Sequence, residues 1–186
     1  MRTRIRPLVS LILIVIVVSC EKQTQDQTDQ SQPNKPNSSL TLQQLQNAEY
    51  HIDSTDDRFQ LTDGEYRKKY LPDSASERIV RLSDNVAGNL GNTDGEDAAV
   101  ILIDDPGGSG TFYYLGAVIN QSGNPLNVAT VSLGDRVKVK ALDIEEEEIV
   151  VHMLTREADK SMASEPTLEV TQKYRLEDNK LVLVKE

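Results

Sequence analysis

Apolar residues along this chain fall into short runs, and the first run differs from the rest. Residues 8–18 are apolar except for Ser10, and they follow three arginines within the first six positions. A membrane-spanning helix needs about 20 apolar residues, so this run is too short to span a bilayer. A basic start followed by an apolar core of this length predicts an export signal peptide over residues 1–19.

The apolar core ends at the only cysteine in the chain. Residues 17–20 read Val-Val-Ser-Cys, which resembles the lipobox of bacterial lipoproteins. The resemblance implies cleavage between Ser19 and Cys20 and transfer of a diacylglyceryl group, with palmitate-type acyl chains, to the Cys20 sulfur. The alternative is an ordinary signal peptide or short anchor in which Cys20 is a bystander. A lone thiol in an exported protein has no disulfide partner and can oxidise, so acylation is the better explanation.

The same resemblance predicts where the protein resides. In Gram-negative bacteria it implies that Asp directly after the cysteine favours retention in the inner membrane. Here that residue is Glu21, so the expected localisation is the cell envelope, at the outer membrane and facing the periplasm. The first expected partner is therefore the lipid bilayer, reached through acylated Cys20.

A polar segment separates the signal from the rest. Residues 21–39 contain no aromatic or aliphatic side chain and consist of Gln, Asn, Ser, Thr, Pro and charged residues. Such a segment buries nothing that offsets the entropy cost of ordering it, so residues 20–39 are predicted to be a disordered tether. As a flexible coil, a segment of about 20 residues reaches on the order of 25 Å. The folded domain is then expected to span residues 40–186.

The remaining pattern predicts one helix and many strands. Thr41 and Gln44 form a capping box before a helix at 42–49, with Leu40 and Leu45 at the staple positions. The apolar runs that follow predict strands at Arg58–Tyr66 (with a turn at Asp63-Gly64), Ile79–Leu82, Ala98–Ile103, Phe112–Ile119, Asn127–Leu133, Arg136–Ile144, Ile149–Thr155, Leu168–Leu176 and Leu181–Val184. Short, turn-rich linkers favour antiparallel pairing. The predicted fold class is α+β, mostly β: a single antiparallel meander of about seven to nine strands with one short N-terminal helix.

Four of these strands carry more specific expectations. The uninterrupted apolar runs Ala98–Ile103 and Phe112–Ile119 are typical of strands covered on both faces, at the centre of a sheet. Arg136–Ile144 alternates between apolar and basic residues and is expected to be half-exposed. In the strand at 168–176 the apolar residues share one face, with Gln172 as the polar exception.

Charge narrows the classes of partner. The full chain has a formal charge of −10. Removing the signal removes three Arg and no acid, which leaves 17 basic against 30 acidic residues, or −13. Phosphate backbones repel such a protein, so no nucleic acid is expected as a partner. Calcium or a basic protein is compatible with the charge, and the acidity can also serve solubility alone.

From about Asn47 onward the chain resembles a family of small exported bacterial domains with no assigned biochemical activity. The matching segments, in order, are NAEY (47–50), LTDGEY (61–66), DGEDAAVIL (94–102), GGSGTFYYL (107–115), NPLNVA (124–129), LGDRV (133–137), IVVHMLT (149–155) and PTLEVTQKYRL (166–176). Two segments depart from the family pattern. Residues 163–167 lack the cysteine that is often found there, and residues 88–97 have lost some acids of an Asp-rich stretch.

The loop before the first long apolar run is the strongest candidate site. Asn89, Asn92, Asp94, Glu96 and Asp97 could supply oxygens to calcium, which prefers six to eight of them from Asp/Asn loops broken by Gly. The spacing does not match an EF-hand. The alternative is a polar turn, in which Asn, Asp and Gly are the usual residues.

Other motifs give weaker signals. Residues 104–111 (DDPGGSGT) lack the ending of a phosphate loop and the second Gly of a nucleophile elbow, so a glycine-rich hairpin loop is expected. The run Glu145–Glu148 is expected at an exposed hairpin tip, because like charges repel. His51 and His152 show no ligand spacing.

Three functions remain open. The first is a non-catalytic envelope domain that binds a protein or glycan or has a structural role, which an exposed groove of Phe112, Tyr113, Tyr114 or Tyr174 would support. The second is a calcium-dependent binding module built on the 89–97 loop. The third is a hydrolase whose site assembles only in three dimensions. With no visible nucleophile motif, the expectation is that the protein is not an enzyme and has no cofactor, except possible calcium.

The lipobox makes a direct prediction about the mature protein. Mass spectrometry of protein extracted from membranes should find an N-terminal Cys20 that carries a diacylglyceryl group. An unmodified Cys20, or cleavage at another position, would contradict the prediction.

Overall fold

The computed structural model describes residues 39–52, 57–73, 75–91, 95–161 and 163–185. These ranges contain one helix and eleven strands. The elements are α1 (Leu42–Gln46), β1 (Glu49–His51), β2 (Arg58–Gln60), β3 (Glu65–Lys69), β4 (Glu77–Gly88), β5 (Asp97–Asp105), β6 (Phe112–Gln121), β7 (Asn124–Asp135), β8 (Lys138–Glu145), β9 (Glu148–Thr155), β10 (Leu168–Glu177) and β11 (Lys180–Leu183).

The predicted fold class, mostly β with one short helix and antiparallel pairing, is confirmed, but the strands form three sheets instead of one. One sheet has five strands in the order β3-β4-β5-β6-β7, the next has four in the order β8-β9-β10-β11, and β1 pairs with β2. Each pair of neighbours is antiparallel. The two larger sheets are therefore successive meanders, and residues from both contribute to one apolar cluster between them.

A corner after β7 explains why the meander splits. Gly134 has φ 124° and Arg136 has φ 51°, left-handed values that redirect the chain before β8 starts. The Arg136 amide donates to the Thr111 carbonyl at 2.7 Å. The Arg156 guanidinium, with only 10% of its side chain exposed, donates to the Asp135 carbonyl at 2.8 Å. The turned corner is thus held from both sides, and β8 begins a second sheet.

The prediction that the first long apolar run lies at a sheet centre is confirmed. β5 is the middle strand of five, and residues 98–102 are each at most 1% exposed. Successive side chains of a strand point to opposite faces. Ala99 and Ile101 pack against the four-stranded sheet, whereas Val100 and Leu102 pack under the N-terminal segment. The run is uninterrupted because both faces of this strand are covered.

The N-terminal layer begins as predicted and ends earlier. Thr41 Oγ1 accepts from the Gln44 amide at 3.2 Å, and Gln44 Oε1 accepts from the Thr41 amide at 2.8 Å, which completes the capping box. The helix stops at Gln46, not at residue 49. The next residues form β1 and bury Tyr50 completely against the sheet. Burial of this ring outweighs the small stability of one more helical turn.

A buried amide joins this layer to the sheet. Asn127 Nδ2 donates to the carbonyls of Ala117 and Ala129 at 3.0 and 3.1 Å, beside an irregularity in the β6–β7 pairing. Its Oδ1 accepts from the His51 backbone amide at 3.0 Å. One side chain thus satisfies two carbonyls of the sheet and fixes β1 over β7.

Arg78 fastens the other side of the layer. Its guanidinium donates to both carboxylate oxygens of Asp104 at 2.9 and 2.7 Å, and to Asp57 at 2.7 Å. The same group lies 4.7 Å from the centre of the Phe59 ring. Hydrogen bonds to Asp104 above all hold the pKa of Arg78 above its usual value. The cation is consequently shared between the sheet and the β1–β2 hairpin.

Three strand predictions need correction. Arg58–Tyr66 is not one strand, because the turn at residues 63–64 places β2 and β3 in different sheets. β4 runs well beyond the predicted Ile79–Leu82, through a polar stretch with a register shift. In β8 a register shift between Val139 and Ala141 interrupts the predicted alternation, and Leu142 is the next buried residue.

Tyr50 should make the stability of the fold sensitive to alkaline pH. Burial raises the pKa of its hydroxyl well above the usual value near 10, and burial also raises the pKa of Tyr174. When the pKa of a group is higher in the folded state than in the unfolded state, its contribution to the free energy of unfolding is fully present below the unfolded pKa, here about 10. This contribution is lost as the pH rises beyond that value. The free energy of unfolding should fall above about pH 10, for Tyr50 by up to about 1.4 kcal/mol per pH unit.

Tyr50→Phe separates this effect from the rest. At neutral pH the variant loses the hydrogen bond from Tyr50 Oη to the Leu45 carbonyl (2.8 Å), which should cost about 1 kcal/mol. In urea unfolding followed by circular dichroism, it should then lose less stability than wild type between neutral pH and about pH 11. Equal losses in the two proteins would contradict the prediction.

Candidate functional site

A cleft of about 380 Å³ lies at one end of the two larger sheets. Its lining combines apolar, acidic, amide and cationic groups. The lining residues are Leu90, Gly91, Asp97, Ile119, Glu147, Arg175, Leu176, Asp178 and Asn179. They come from five separate places in the chain, so no short motif contains the site.

The two sheets supply different parts of this cleft. The five-stranded sheet contributes Leu90 after β4, Asp97 at the start of β5 and Ile119 near the end of β6. The four-stranded sheet contributes the end of β10 and its two tight turns, β8–β9 and β10–β11. The cleft is therefore the gap that remains where the two stacked sheets end.

Asp97 is a structural carboxylate at this end of the molecule. It is fully buried, its Oδ2 accepts from the Leu90 amide at 3.1 Å, and its Oδ1 accepts from the Asn120 amide at 2.9 Å. The Asn120 side chain continues the chain of bonds, because it donates to the Glu96 carbonyl at 3.2 Å and accepts from the Gly123 amide at 2.7 Å. Asp97 thus ties the end of the 89–97 loop to β6.

These contacts bear on the predicted calcium loop. Asn92 and Asp94 lie outside the described residues. Asn89 Oδ1 accepts from the Gly91 amide at 2.8 Å, so this side chain closes a local turn. Within the described ranges there is no group of three or more His, Cys, Asp or Glu that could hold a metal. Calcium binding stays a prediction. In the structure Asn89 closes a local turn, and Asp97 joins the end of the loop to β6.

The predicted exposed tip at Glu145–Glu148 is confirmed. Glu146 and Glu147 are the exposed central residues of the β8–β9 turn, with φ 49° and 66°. Two left-handed positions make a type I′ turn, for which Asn-Gly or Asp-Gly is preferred. Glu147 reaches toward Gly91 across the cleft mouth, and Glu148 accepts from Arg175 at 2.5 Å.

The glycine-rich segment is the hairpin loop that the sequence predicts. Residues 106–111 connect β5 to β6, two adjacent central strands. Gly107 has φ 74°, and a Cβ atom there would lie 2.6 Å from the Glu77 carbonyl oxygen. This close approach of two backbones accounts for the glycine.

The histidines and aromatic residues do not converge on the cleft. His152 lies on the outer face of its sheet and shares a 2.8 Å hydrogen bond with Thr171 Oγ1. Tyr113 packs toward the cluster between the sheets, Tyr114 packs toward the N-terminal layer, and Tyr174 is buried. These aromatic residues therefore do not share one groove. Tyr174 instead donates to Gln172 Oε1 at 2.8 Å, which explains the polar residue on the apolar face.

No protein-family model matches the chain, and no curated protein or solved structure is significantly similar to it. The resemblance to small exported domains thus stays a prediction, as does lipidation, because Ser19 and Cys20 lie outside the described residues. Among the described helices, none is long and apolar enough to cross a membrane.

Sequence reasoning missed most of the cleft. It singled out Asp97 as a calcium ligand and Glu147 as part of an exposed hairpin tip, but it placed neither residue in a cleft. It gave no role to Ile119, Arg175 or the Asp178-Asn179 pair. The turn at Asp178-Asn179 could have been predicted, since Asp-Asn between two apolar runs is typical of a tight turn. In the structure both residues have positive φ.

Replacing Asp97 tests its structural role. Asp97→Ala leaves two buried amides without their acceptors, so it should lower the free energy of unfolding by about 2–5 kcal/mol. Asn89→Ala removes an exposed contact in the same loop and should cost less than about 1 kcal/mol. Urea unfolding measures both. Similar small losses for the two variants would contradict the assignment.

The calcium hypothesis has its own measurement. Thermal melting of the wild-type protein with millimolar calcium and with chelator should show a higher melting temperature in calcium if the 89–97 loop binds the ion. Identical melting curves would end that hypothesis.

Proposed function

We propose that this protein is a lipid-anchored lipoprotein of the bacterial cell envelope whose folded domain binds a polar ligand in the end cleft without catalysing a reaction. The anchoring part rests on the short signal core, the Val-Val-Ser-Cys sequence and the polar segment 20–39. Two or more acyl chains hold a protein stably at a membrane, whereas one holds it only marginally.

The binding part rests on the cleft. Its volume of about 380 Å³ is within the range of small-ligand sites. Carboxylate, amide and guanidinium groups line its rim, and Leu90, Ile119 and Leu176 provide apolar surface. Hydrogen-bonding groups around an apolar patch suit a short glycan, which has hydroxyls and an apolar ring face. A polar peptide segment of a partner protein is the second candidate.

The β8–β9 turn supports a role for this end of the molecule. Left-handed backbone costs a residue with a side chain roughly 1–2 kcal/mol, which glycine avoids. Two consecutive glutamates occupy such positions, and one of them, Glu147, lines the cleft. Local rules of sequence and structure are most often broken at functional sites.

The non-catalytic part rests on how the candidate groups are used. The buried Asp97 carboxylate is engaged by two backbone amides, and His152 shares its hydrogen bond with a hydroxyl on the outer face of the second sheet. Neither arrangement resembles an acid–base pair poised over a substrate. A hydrolase and a calcium-dependent module gain no support from the described contacts.

Two matched variants test the cleft. Glu146→Gly and Glu147→Gly each remove one negative charge and one left-handed side chain from the same turn, but only Glu147 lines the cleft. Each should raise the free energy of unfolding by up to about 1 kcal/mol. Disaccharides (chitobiose, maltose, cellobiose) and short peptides (trialanine, trilysine) are titrated into the labelled domain, and amide chemical shifts are recorded.

A ligand should shift the amides of Gly91, Asp178 and Asn179 in wild type and in Glu146→Gly, and should bind more weakly to Glu147→Gly. Binding that moves amides elsewhere, or that is equally strong in both variants, would contradict the assignment of the cleft. Turnover of any probe during the titration would contradict the non-catalytic part.

A further inference from the structure

The hairpin that joins β3 to β4 presents an unusual set of exposed side chains. We call residues 68–72 (Lys-Lys-Tyr-Leu-Pro) the β3–β4 tip. Leu71 is 68% exposed and Tyr70 is 54% exposed, the two most exposed large apolar side chains in the described part of the chain. Lys68 and Lys69 precede them and are exposed as well. Two cations, an aromatic ring and an aliphatic side chain are thus exposed within four consecutive residues, with Lys68 and Lys69 on opposite faces of β3.

This tip is held in place by the neighbouring loop. The Tyr70 hydroxyl donates to the Pro106 carbonyl at 2.7 Å, and Ser76 Oγ donates to the Gly107 carbonyl at 3.0 Å. The close approach of Gly107 to Glu77 brings the two loops into direct contact. Leu71 is therefore presented on a braced support, so burying it against another surface costs little additional ordering.

The basic side chains of β3 and β4 near the tip differ in whether they form ion pairs. Arg67 pairs with Glu65 and Glu77, and Arg81 pairs with Glu65. Lys68 and Lys69 make no ion pair within the described ranges. Although the protein is strongly acidic, charges more than about 10 Å apart are largely screened at physiological salt. Asp73 follows the tip with one exposed carboxylate, so residues 68–73 carry two positive charges and one negative charge, a net charge of +1.

We propose that the β3–β4 tip docks on the anionic surface of a lipid bilayer. Leu71 would enter the boundary between headgroups and acyl chains, and the Tyr70 ring would lie at headgroup depth, where Tyr is enriched. The lysines would meet lipid phosphates, toward which long basic side chains extend. The same four residues match an acidic protein surface less well, because Leu71 at the apex then requires a preformed apolar pocket.

The dimensions of the chain permit this contact. α1 lies beside the β6–β7 turn, where Gln44 donates to the Gly123 carbonyl, whereas the tip lies beside the loop that precedes β6. Ten residues of β6 separate these two ends, roughly 33 Å. Fully extended, the roughly 20-residue segment before α1 spans up to about 65 Å. The anchor and the tip can therefore reach the same bilayer.

The proposed lipid anchor makes one contribution to docking, which is to raise the local concentration of the tip at the membrane. A short flexible linker places a second contact at millimolar effective concentration, so a weak interaction of the tip is sufficient in the anchored protein. Docking by the tip itself does not require the acyl chains. It can be measured on the untethered domain, and its failure is distinguishable from failure of lipidation, which mass spectrometry reports.

The chain contains no tryptophan, so one introduced tryptophan reports on one position. Leu71→Trp places it at the tip. Leu126→Trp is the matched control, because Leu126 is 41% exposed and lies on β7 near the β6–β7 turn, at the other end of the sheet. Residues 21–186 carrying either change are mixed with vesicles of phosphatidylethanolamine and phosphatidylglycerol, or of phosphatidylcholine alone. Emission and quenching by brominated lipid are recorded.

Docking predicts a blue shift and quenching for Leu71→Trp with the phosphatidylglycerol vesicles, weaker in about 0.5 M salt, and little change for Leu126→Trp. Adding Lys68→Gln and Lys69→Gln should lower the partition coefficient by about 10- to 30-fold, given the usual attraction of each basic residue to an anionic surface. Unchanged emission with all vesicles, or equal shifts at both positions, would overturn the proposal and leave a protein surface as the partner of the tip. Thermal melting verifies that each variant is folded.

Discussion

The fold depends on the need to cover both faces of β5 and β6. Their side chains are apolar on each face, and a sheet exposed to water on one side would leave half of them unburied. The chain meets this need with two unlike covers, a four-stranded meander on one face and a helix with a small hairpin on the other. The corner at Gly134–Arg136 is the step that allows it, because it moves the later strands off the sheet edge and onto its face.

Buried polar groups fix the positions of the layers that apolar burial brings together. Asn127, Asp97 and the Arg78–Asp104 pair are buried or half-buried, and each joins segments that are distant in the chain. Every buried side-chain nitrogen or oxygen in the described ranges has a hydrogen-bond partner. An unmade hydrogen bond in such a place costs more than a made one contributes, so these groups select one arrangement of the layers. The cleft lies where this covering ends, which is why an exposed group, Glu147, and a buried structural group, Asp97, both line it.

Local pattern was sufficient to predict many of the elements, but not all of their bounds and not their assembly. The capping box at Thr41 and Gln44, the central position of β5 and the tip at Glu145–Glu148 all follow from neighbouring residues. The division into sheets does not, because it depends on left-handed backbone at Arg136 and on an Arg156 contact across 21 residues. Helix α1 ended early for a similar reason, since Tyr50 is buried by strands far along the chain. The cleft was missed because its groups come from five separate segments, and sequence spacing carries no information about such a meeting.

The bond between His51 and Asn127 spans 76 positions, and this separation has a consequence for how the protein is made. The first layer of the domain packs on β4, β5 and β6 and is fixed to β7, so the segment that is synthesised first is completed only after these later strands exist. Contacts of such long range slow folding. In a nascent chain this layer therefore stays open until β7 has been produced. The layered arrangement that stabilises the finished domain thus also delays the completion of its first layer.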